Sequence, residues 1–197
     1  TWLHEGLENY KIPWGLQQRE TSDGSIPKKV LLRRLYPIFR DREELPSSAD
    51  LGDAINQAIQ ESAYMVVICS PRAAQSHWVN EEIMQFKRLG RSDYILCLIV
   101  DGKPNASLNP ELAHEECLPL AVRYEIASNG LLTDIPTEPI AADAREGRDG
   151  KPNALLKVIA GMIGVGFDDL KQREATRLHR RVAWATSISL ALVALVV

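Results

Sequence analysis

The chain has 197 residues, of which 45% are hydrophobic, and it carries a formal net charge of −3. This length suits one α/β domain with an appendage. Residues 171–181 include five basic residues and one acidic residue, and the last sixteen residues are uncharged, so residues 1–170 hold a net charge of −7. An acidic body of this kind excludes non-specific nucleic-acid binding from the expected functions.

The three cysteines indicate a reducing compartment and offer no metal site. Cys69 and Cys97 lie within apolar runs, and Cys117 lies in a predicted loop. No CxxC motif or Cys/His pair has the spacing of zinc ligands, so we expect no bound metal.

The N-terminal part predicts one helix, one loop and one short strand. Apolar residues recur at helical spacing over residues 2–10, and Ile12-Pro13 ends that helix. Residues 17–29 are polar, which favours a loop. The apolar residues 35–39 predict a strand, and the charged residues 40–49 predict a second loop.

The centre of the chain predicts two helices that flank a buried strand. Leu51, Ile55 and Ile59 mark an amphipathic helix. The apolar run Met65–Cys69 is typical of a buried parallel strand, and Ser70-Pro71 ends it. Ser76 is the predicted N-cap of the next helix. Its inward face is expected to consist of the residues at helical spacing, namely Trp78, Val79, Ile83 and Phe86.

The remaining elements indicate a flavodoxin-like, doubly wound parallel sheet. Residues 94–100 predict a buried strand, residues 120–126 a weaker last strand, and residues 127–150 irregular structure. A helix is predicted from Pro152 to Gly164, where glycine favours termination. Because the chain begins on a helix, we expect the first strand of such a sheet to be missing from this fragment.

The carboxyl edge of the central strand is the expected ligand site, because open α/β sheets bind ligands there. Ser70 ends the strand, and Trp78, Glu81 and Glu82 follow on the next helix. From spacing alone, the two carboxylates are explained equally well by compensation of the helix dipole. Trp78 is similarly consistent with a core or rim aromatic residue.

Three segments together resemble a bacterial Toll/interleukin-receptor (TIR) domain: FRDREELPSSADL (39–51), VVICSPRAAQSHWVNEEI (66–83) and YILCLIVDG (94–102). The opening WLHEGLENYKIP resembles the first helix of that family, and the resemblance extends over residues 2–175. It implies a TIR domain in residues 1–167, truncated at its N-terminus.

The resemblance implies chemistry on NAD⁺, as a substrate rather than a cofactor. Many prokaryotic TIR domains cleave the nicotinamide–ribose bond, and their key carboxylate lies four residues after a tryptophan. Glu82 is therefore the expected catalytic residue, and Glu81 is not. A carboxylate beside the ribose stabilises the positive charge of an oxocarbenium-like transition state. Trp78, one turn earlier, is expected to pack on a flat base.

The resemblance also assigns residues 40–49 to the BB loop, which closes over the nucleotide and touches a neighbouring subunit in assembled TIR enzymes. Phe39, Arg40 and Asp41 are then expected at the substrate, with the Arg40 guanidinium at the pyrophosphate and Ser70 at the same crevice. Without the resemblance, this segment would be interpreted as a solvated charged loop.

The C-terminus predicts membrane attachment. Residues 168–181 form a basic juxtamembrane helix, and the uncharged residues 182–197 are the start of a transmembrane helix. Arg180 and Arg181 precede that segment directly, so the positive-inside rule puts the TIR domain in the cytoplasm. The alternative is a helix buried in the domain or in an oligomer.

Two classes of function remain open from the sequence. One is a self-associating, membrane-tethered effector, of the kind used in bacterial immunity, that cleaves NAD⁺ to nicotinamide and ADP-ribose or a cyclic form. The other is a non-enzymatic adaptor that binds other TIR domains to relay a signal. A weaker third alternative is a sensor that binds a nucleotide without turnover.

Overall fold

The computed structural model describes residues 2–13, 35, 37–39 and 51–177. These residues form α-helices and β-strands, some of which are connected by short 3-10 turns. The helices are α1 (Trp2–Asn9), α2 (Leu51–Glu61), α3 (Pro71–Gln75), α4 (His77–Arg88), α5 (Leu120–Arg123), α6 (Gly150–Ile163) and α7 (167–177). The strands are β1 (Met65–Cys69), β2 (Ile95–Ile99), β3 (Tyr124–Ile126), β4 (Leu132–Pro136) and β5 (Ala141–Asp143).

The described sheet is parallel and has the order β1-β2-β5. Val67 pairs with Cys97, and Cys97 pairs with Ala141 on the other side. The predicted positions of β1 and β2 and the α/β class are confirmed, but β1 is not fully buried, because Ile68 is 42% exposed. The strand β5 was not predicted, because three residues are too few to give a hydrophobic pattern.

The predicted last strand at residues 120–126 is wrong for its first half. Residues 120–123 form the helix α5, in which the N–H groups of Val122 and Arg123 donate to the Pro119 carbonyl at 2.9 and 3.3 Å. Only β3 is extended, and it pairs antiparallel with β4 in a separate hairpin. A short apolar run has no period that distinguishes a strand from a buried helical turn.

The predicted strand at residues 35–39 is also not found at the described positions. Leu35 and the segment 37–39 have no strand pairing, and residue 36 lies outside the described residues. Pro37 has no N–H group and cannot donate to a ladder, which argues against a central strand. Leu35 and Ile38 instead pack against the core. The predicted loops at residues 17–29 and 40–49 lie outside the described residues.

The core has one half on each face of the sheet. On one face, α1, α6 and α7 cover β2 and bury Leu7, Leu98, Val158, Ile159 and Leu170. On the other face, α4 and α5 bury Val67, Cys97, Ile83, Met84 and Cys117. The predicted end of α6 is confirmed, since Gly164 is its C-cap with φ of +65°.

The helix α7 covers most of the predicted basic juxtamembrane segment and contacts the residues that directly follow α1. The Tyr10 hydroxyl lies 3.1 Å from Glu174 Oε1, and Arg177 Nη1 donates to the Lys11 carbonyl at 3.2 Å. The predicted transmembrane segment 182–197 lies outside the described residues. Among the helices that are described, none is both long enough and apolar enough to cross a membrane.

Candidate functional site

The helix α4 carries the predicted catalytic residue, and its start is where the sequence predicts it. The Ser76 Oγ accepts a hydrogen bond from the Val79 N–H at 3.4 Å, which confirms Ser76 as the N-cap. Ile83 and Phe86 are buried, as expected for the inward face, and Val79 is half-buried against the same cluster. The local sequence therefore determines both the first residue of this helix and most of its buried side.

Trp78 does not belong to the inward face, contrary to the prediction. Its side chain is 76% exposed and makes a tilted contact with the His77 ring at a centroid distance of 5.9 Å. Trp78 and Ile83 are five residues apart, which places them about 140° apart around a helix of 3.6 residues per turn. The buried arc of α4 is centred near Ile83, so Trp78 faces outward.

Glu82 lies one turn after Trp78, about 40° around the helix from it. It is half-buried, whereas Glu81 is exposed and lies 4.0 Å from Arg88 Nη1 through its Oε2 atom. The two adjacent carboxylates therefore have different surroundings. Glu82 lies on the outward face with the exposed indole of Trp78, and Glu81 pairs with Arg88 farther along the helix.

Ser70 lies at the carboxyl end of β1 and begins α3. Its Oγ accepts a hydrogen bond from the Ala73 N–H at 3.2 Å, and Pro71 occupies the first turn. This geometry is that of a helix cap. Contact between Ser70 and a substrate stays a prediction.

The predicted substrate-binding segment before α2 is described only at its start. Phe39 is 39% exposed and does not belong to a strand. Arg40 and Asp41 lie outside the described residues, and so does the rest of the predicted BB loop. Within the described residues, the structure brings Trp78 and Glu82 together on one helix face, and Ser70 ends the strand that precedes this helix.

A second cleft, which the sequence did not predict, lies at the carboxyl edge of β2 and β5. Its volume is about 640 Å³, and its lining includes Gly102, Lys103, His114 and Arg148. It escaped prediction because β5 was not recognised as a strand. The lining does not include any of the predicted site residues.

The charges of this second cleft are largely paired with each other. Arg145 donates from Nε to Asp143 Oδ1 at 2.8 Å and from Nη2 to Oδ2 at 2.5 Å, and its Nη1 donates to the Gly102 carbonyl. This fork holds the pKa of the Asp143 carboxyl below its usual range. Lys103 Nζ lies 3.4 Å from Glu115 Oε2. The bond from Arg145 to the Gly102 carbonyl joins the segment after β5 to the segment after β2.

Metal ligation has no candidate group in the described part of the chain. Within residues 2–13, 35, 37–39 and 51–177, no three His, Cys, Asp or Glu side chains are placed to bind a metal ion. The three cysteines are free and buried, and they belong to the core around β1 and β2.

Comparisons with known proteins support the α/β fold and identify the family of the chain. The chain is 28% identical over 154 residues to the NAD(+) hydrolase ApTIR of Actinoplanes sp.. The match covers 76% of this chain and 21% of that protein, so the chain spans about a fifth of the length of this relative. No solved structure matches significantly. The family model of the TIR domain matches residues 28–128, just over half of the chain, and the protein therefore belongs to the bacterial TIR domain family.

Proposed function

We propose that this TIR domain cleaves NAD⁺ to nicotinamide and ADP-ribose, or a cyclic form of it, when it self-associates at a membrane. The observation that carries the proposal is the pair on α4, where the half-buried Glu82 follows the exposed Trp78 by one turn. The relative named as an NAD(+) hydrolase supports the same substrate. NAD⁺ is the substrate in this proposal, and no cofactor is required.

One carboxylate is sufficient for this chemistry. In NAD⁺ the nicotinamide ring is already cationic, so it leaves the ribose as a neutral molecule and takes the bonding electron pair with it. Positive charge then develops on the ribose, and Glu82 stabilises it electrostatically. Water adds to the anomeric carbon and releases a proton, which completes hydrolysis to ADP-ribose. Trp78 offers an aromatic face on which a flat base stacks.

The deciding experiment compares two neighbouring carboxylates. Glu82→Gln should lower kcat for nicotinamide release by about 10²- to 10³-fold, the usual loss on removing one group that stabilises transition-state charge. Glu81→Gln is the matched control and should change kcat less than twofold, because Glu81 is exposed and its ion pair with Arg88 is long, at 4.0 Å. Nicotinamide is quantified by chromatography on the full-length, self-associated protein.

Equal losses of kcat in the two variants would show that the assignment of Glu82, rather than Glu81, as the catalytic residue is wrong. A wild-type protein that self-associates without releasing nicotinamide would favour the second candidate function, a TIR adaptor. The exposed indole of Trp78 suits a protein contact as well as a base, which is the observation that keeps this alternative open.

Self-association and membrane attachment depend on residues outside the described part of the chain. In this proposal Asp41 and its neighbours contact another TIR domain, so Asp41→Ala should lower the mass measured by light scattering and leave stability unchanged. The uncharged residues 182–197 anchor the protein with its TIR domain in the cytoplasm. Protease added outside intact cells should then leave the TIR domain intact, and cleavage there would overturn this topology.

A further inference from the structure

A helix break without a connecting loop separates α3 from α4. Ser76 is both the last cap of α3 and the first cap of α4. Its N–H donates to the Ala73 carbonyl at 3.1 Å, and its own carbonyl accepts the backbone N–H of Asn80 at 3.2 Å. Such a junction leaves carbonyl groups of α3 without a helical partner.

The side chain of Asn80 bridges this break and a third helix. Its Nδ2 donates to the Ala74 carbonyl at 3.2 Å and to the Ser76 carbonyl at 2.8 Å. Its Oδ1 accepts the Ala121 N–H of α5 at 2.9 Å. A side-chain amide has two donor hydrogens and an acceptor oxygen, and the three bonds use both donors and the acceptor. Asn80 therefore connects α3, α4 and α5.

Asn80 lies on the opposite side of α4 from the candidate site. Trp78 and Glu82 are two residues before and two residues after it, so each lies about 160° around the helix from it. The partner of Asn80 on α5 is firmly held, because Ala121 and Val122 are both buried in the core. Asn80 bonds Ala121 from the side of α4 opposite to Trp78. This bond to a firmly held residue restricts both rotation and translation of the first turn.

The buried residues of α4 hold a different part of the helix. Ile83 packs in the core around β1 and β2 one turn later, and Phe86 is fully buried about one turn after that. They orient the helix as a whole, whereas Asn80 restrains the turn in which Trp78 lies.

We infer that Asn80 is a positioning residue for the Trp78–Glu82 face of α4. This inference rests on the proposed function, since positioning matters to turnover only if Glu82 acts on NAD⁺. Small displacements of a catalytic group cost large factors in rate, up to about 10²-fold for 1 Å. Asn80 touches neither substrate nor reacting atoms in this role, and it acts through the backbone of the first turn.

The test replaces Asn80 with leucine, which keeps the number and branching of the side-chain heavy atoms and removes all three side-chain bonds. Asn80→Leu should lower kcat for nicotinamide release by about tenfold or more per folded molecule. Asn80→Asp keeps the acceptor for Ala121 but loses both donors to the helix break, so it should fold even if the leucine variant does not. Its kcat should fall by a smaller factor.

The matched control is Thr137→Ala. Thr137 Oγ1 donates to the Val122 carbonyl at 2.5 Å, so this variant also removes a side-chain bond to α5 but leaves the helix break intact. It should lower the melting temperature and leave kcat and KM within twofold. If the two Asn80 variants lower kcat no more than Thr137→Ala does, Asn80 is only a stabilising residue and the inference is wrong.

Hydrogen exchange separates failure of this inference from failure of the proposed function. In Asn80→Leu the amides of Val79 and Asn80, at the start of α4, should exchange at least tenfold faster, with Phe86 and Lys87 unchanged. Equal acceleration along the whole helix would overturn the positioning role. A wild type without turnover would refute the proposed function, and the exchange rates would then decide alone whether Asn80 holds the first turn.

Discussion

The carboxylate of Glu116 is a buried group whose removal should cost considerable stability. Glu116 is 7% exposed, and its Oε1 accepts the Leu118 N–H at 2.9 Å. Its Oε2 accepts the Ser107 N–H at 3.2 Å and the Ser107 hydroxyl at 2.9 Å, and lies 3.6 Å from Arg123 Nη1. Glu116→Ala leaves three donors and one cation without their acceptor. Since each stranded buried group costs about 1–3 kcal/mol, we expect a loss of about 3–5 kcal/mol in the free energy of unfolding.

Glu116→Gln keeps the shape and separates the contribution of the charge. Its carbonyl oxygen still accepts the Leu118 N–H, but its amide group faces the Ser107 N–H, which then has no acceptor. We expect a loss of about 2 kcal/mol at pH 7 from urea unfolding curves. A loss under about 1 kcal/mol for both variants would refute the view that these bonds stabilise the loop after β2.

The loss in Glu116→Gln should depend on pH in a defined direction. Burial favours the neutral acid, but hydrogen bonds from Leu118 and Ser107, with Arg123 nearby, hold the pKa of Glu116 below its usual value of 4.5. The ionised group therefore stabilises the folded state fully above pH 4.5, and this stabilisation is lost as the pH falls through the lower folded-state pKa. The difference in the free energy of unfolding between wild type and Glu116→Gln should begin to decrease below about pH 4.5. A difference that stays constant between pH 7 and pH 4 would contradict this assignment.

Three further substitutions test backbone conformation and packing. Gly102→Ala should destabilise by about 2 kcal/mol or more, because Gly102 has a φ of +81° and a Cβ there would lie 2.7 Å from the Glu115 carbonyl oxygen and from the Pro71 ring. Gly90→Ala, at a φ of +73° with open space around it, should show only the backbone cost of about 1 kcal/mol in the same unfolding assay. Trp78→Ser should change the free energy of unfolding by less than about 0.5 kcal/mol, since the indole is 76% exposed, and a larger change would show that Trp78 packs in the fold.

The sequence by itself determined the elements whose patterns are long or have a capping residue. The run Met65–Cys69 has enough consecutive apolar residues to predict a strand of a parallel sheet. Ser76 and Gly164 determine where α4 begins and where α6 ends, because a cap acts through bonds within a few residues. The four-residue spacing from Trp78 to Glu82 likewise placed both side chains on one helix face before any tertiary contact was known.

Tertiary structure decided what local patterns leave open. Periodicity could not exclude Trp78 from the buried face of α4, because only the position of the sheet defines the centre of the buried arc. The segment 120–126 is apolar in either conformation, and packing against α4 decided for a helical turn at Leu120–Arg123. The three residues of β5 are a strand only because β2 offers a free edge beside them. The bridge made by Asn80 has no signal in the sequence, since its partner Ala121 is 41 residues away and meets it only in the folded chain.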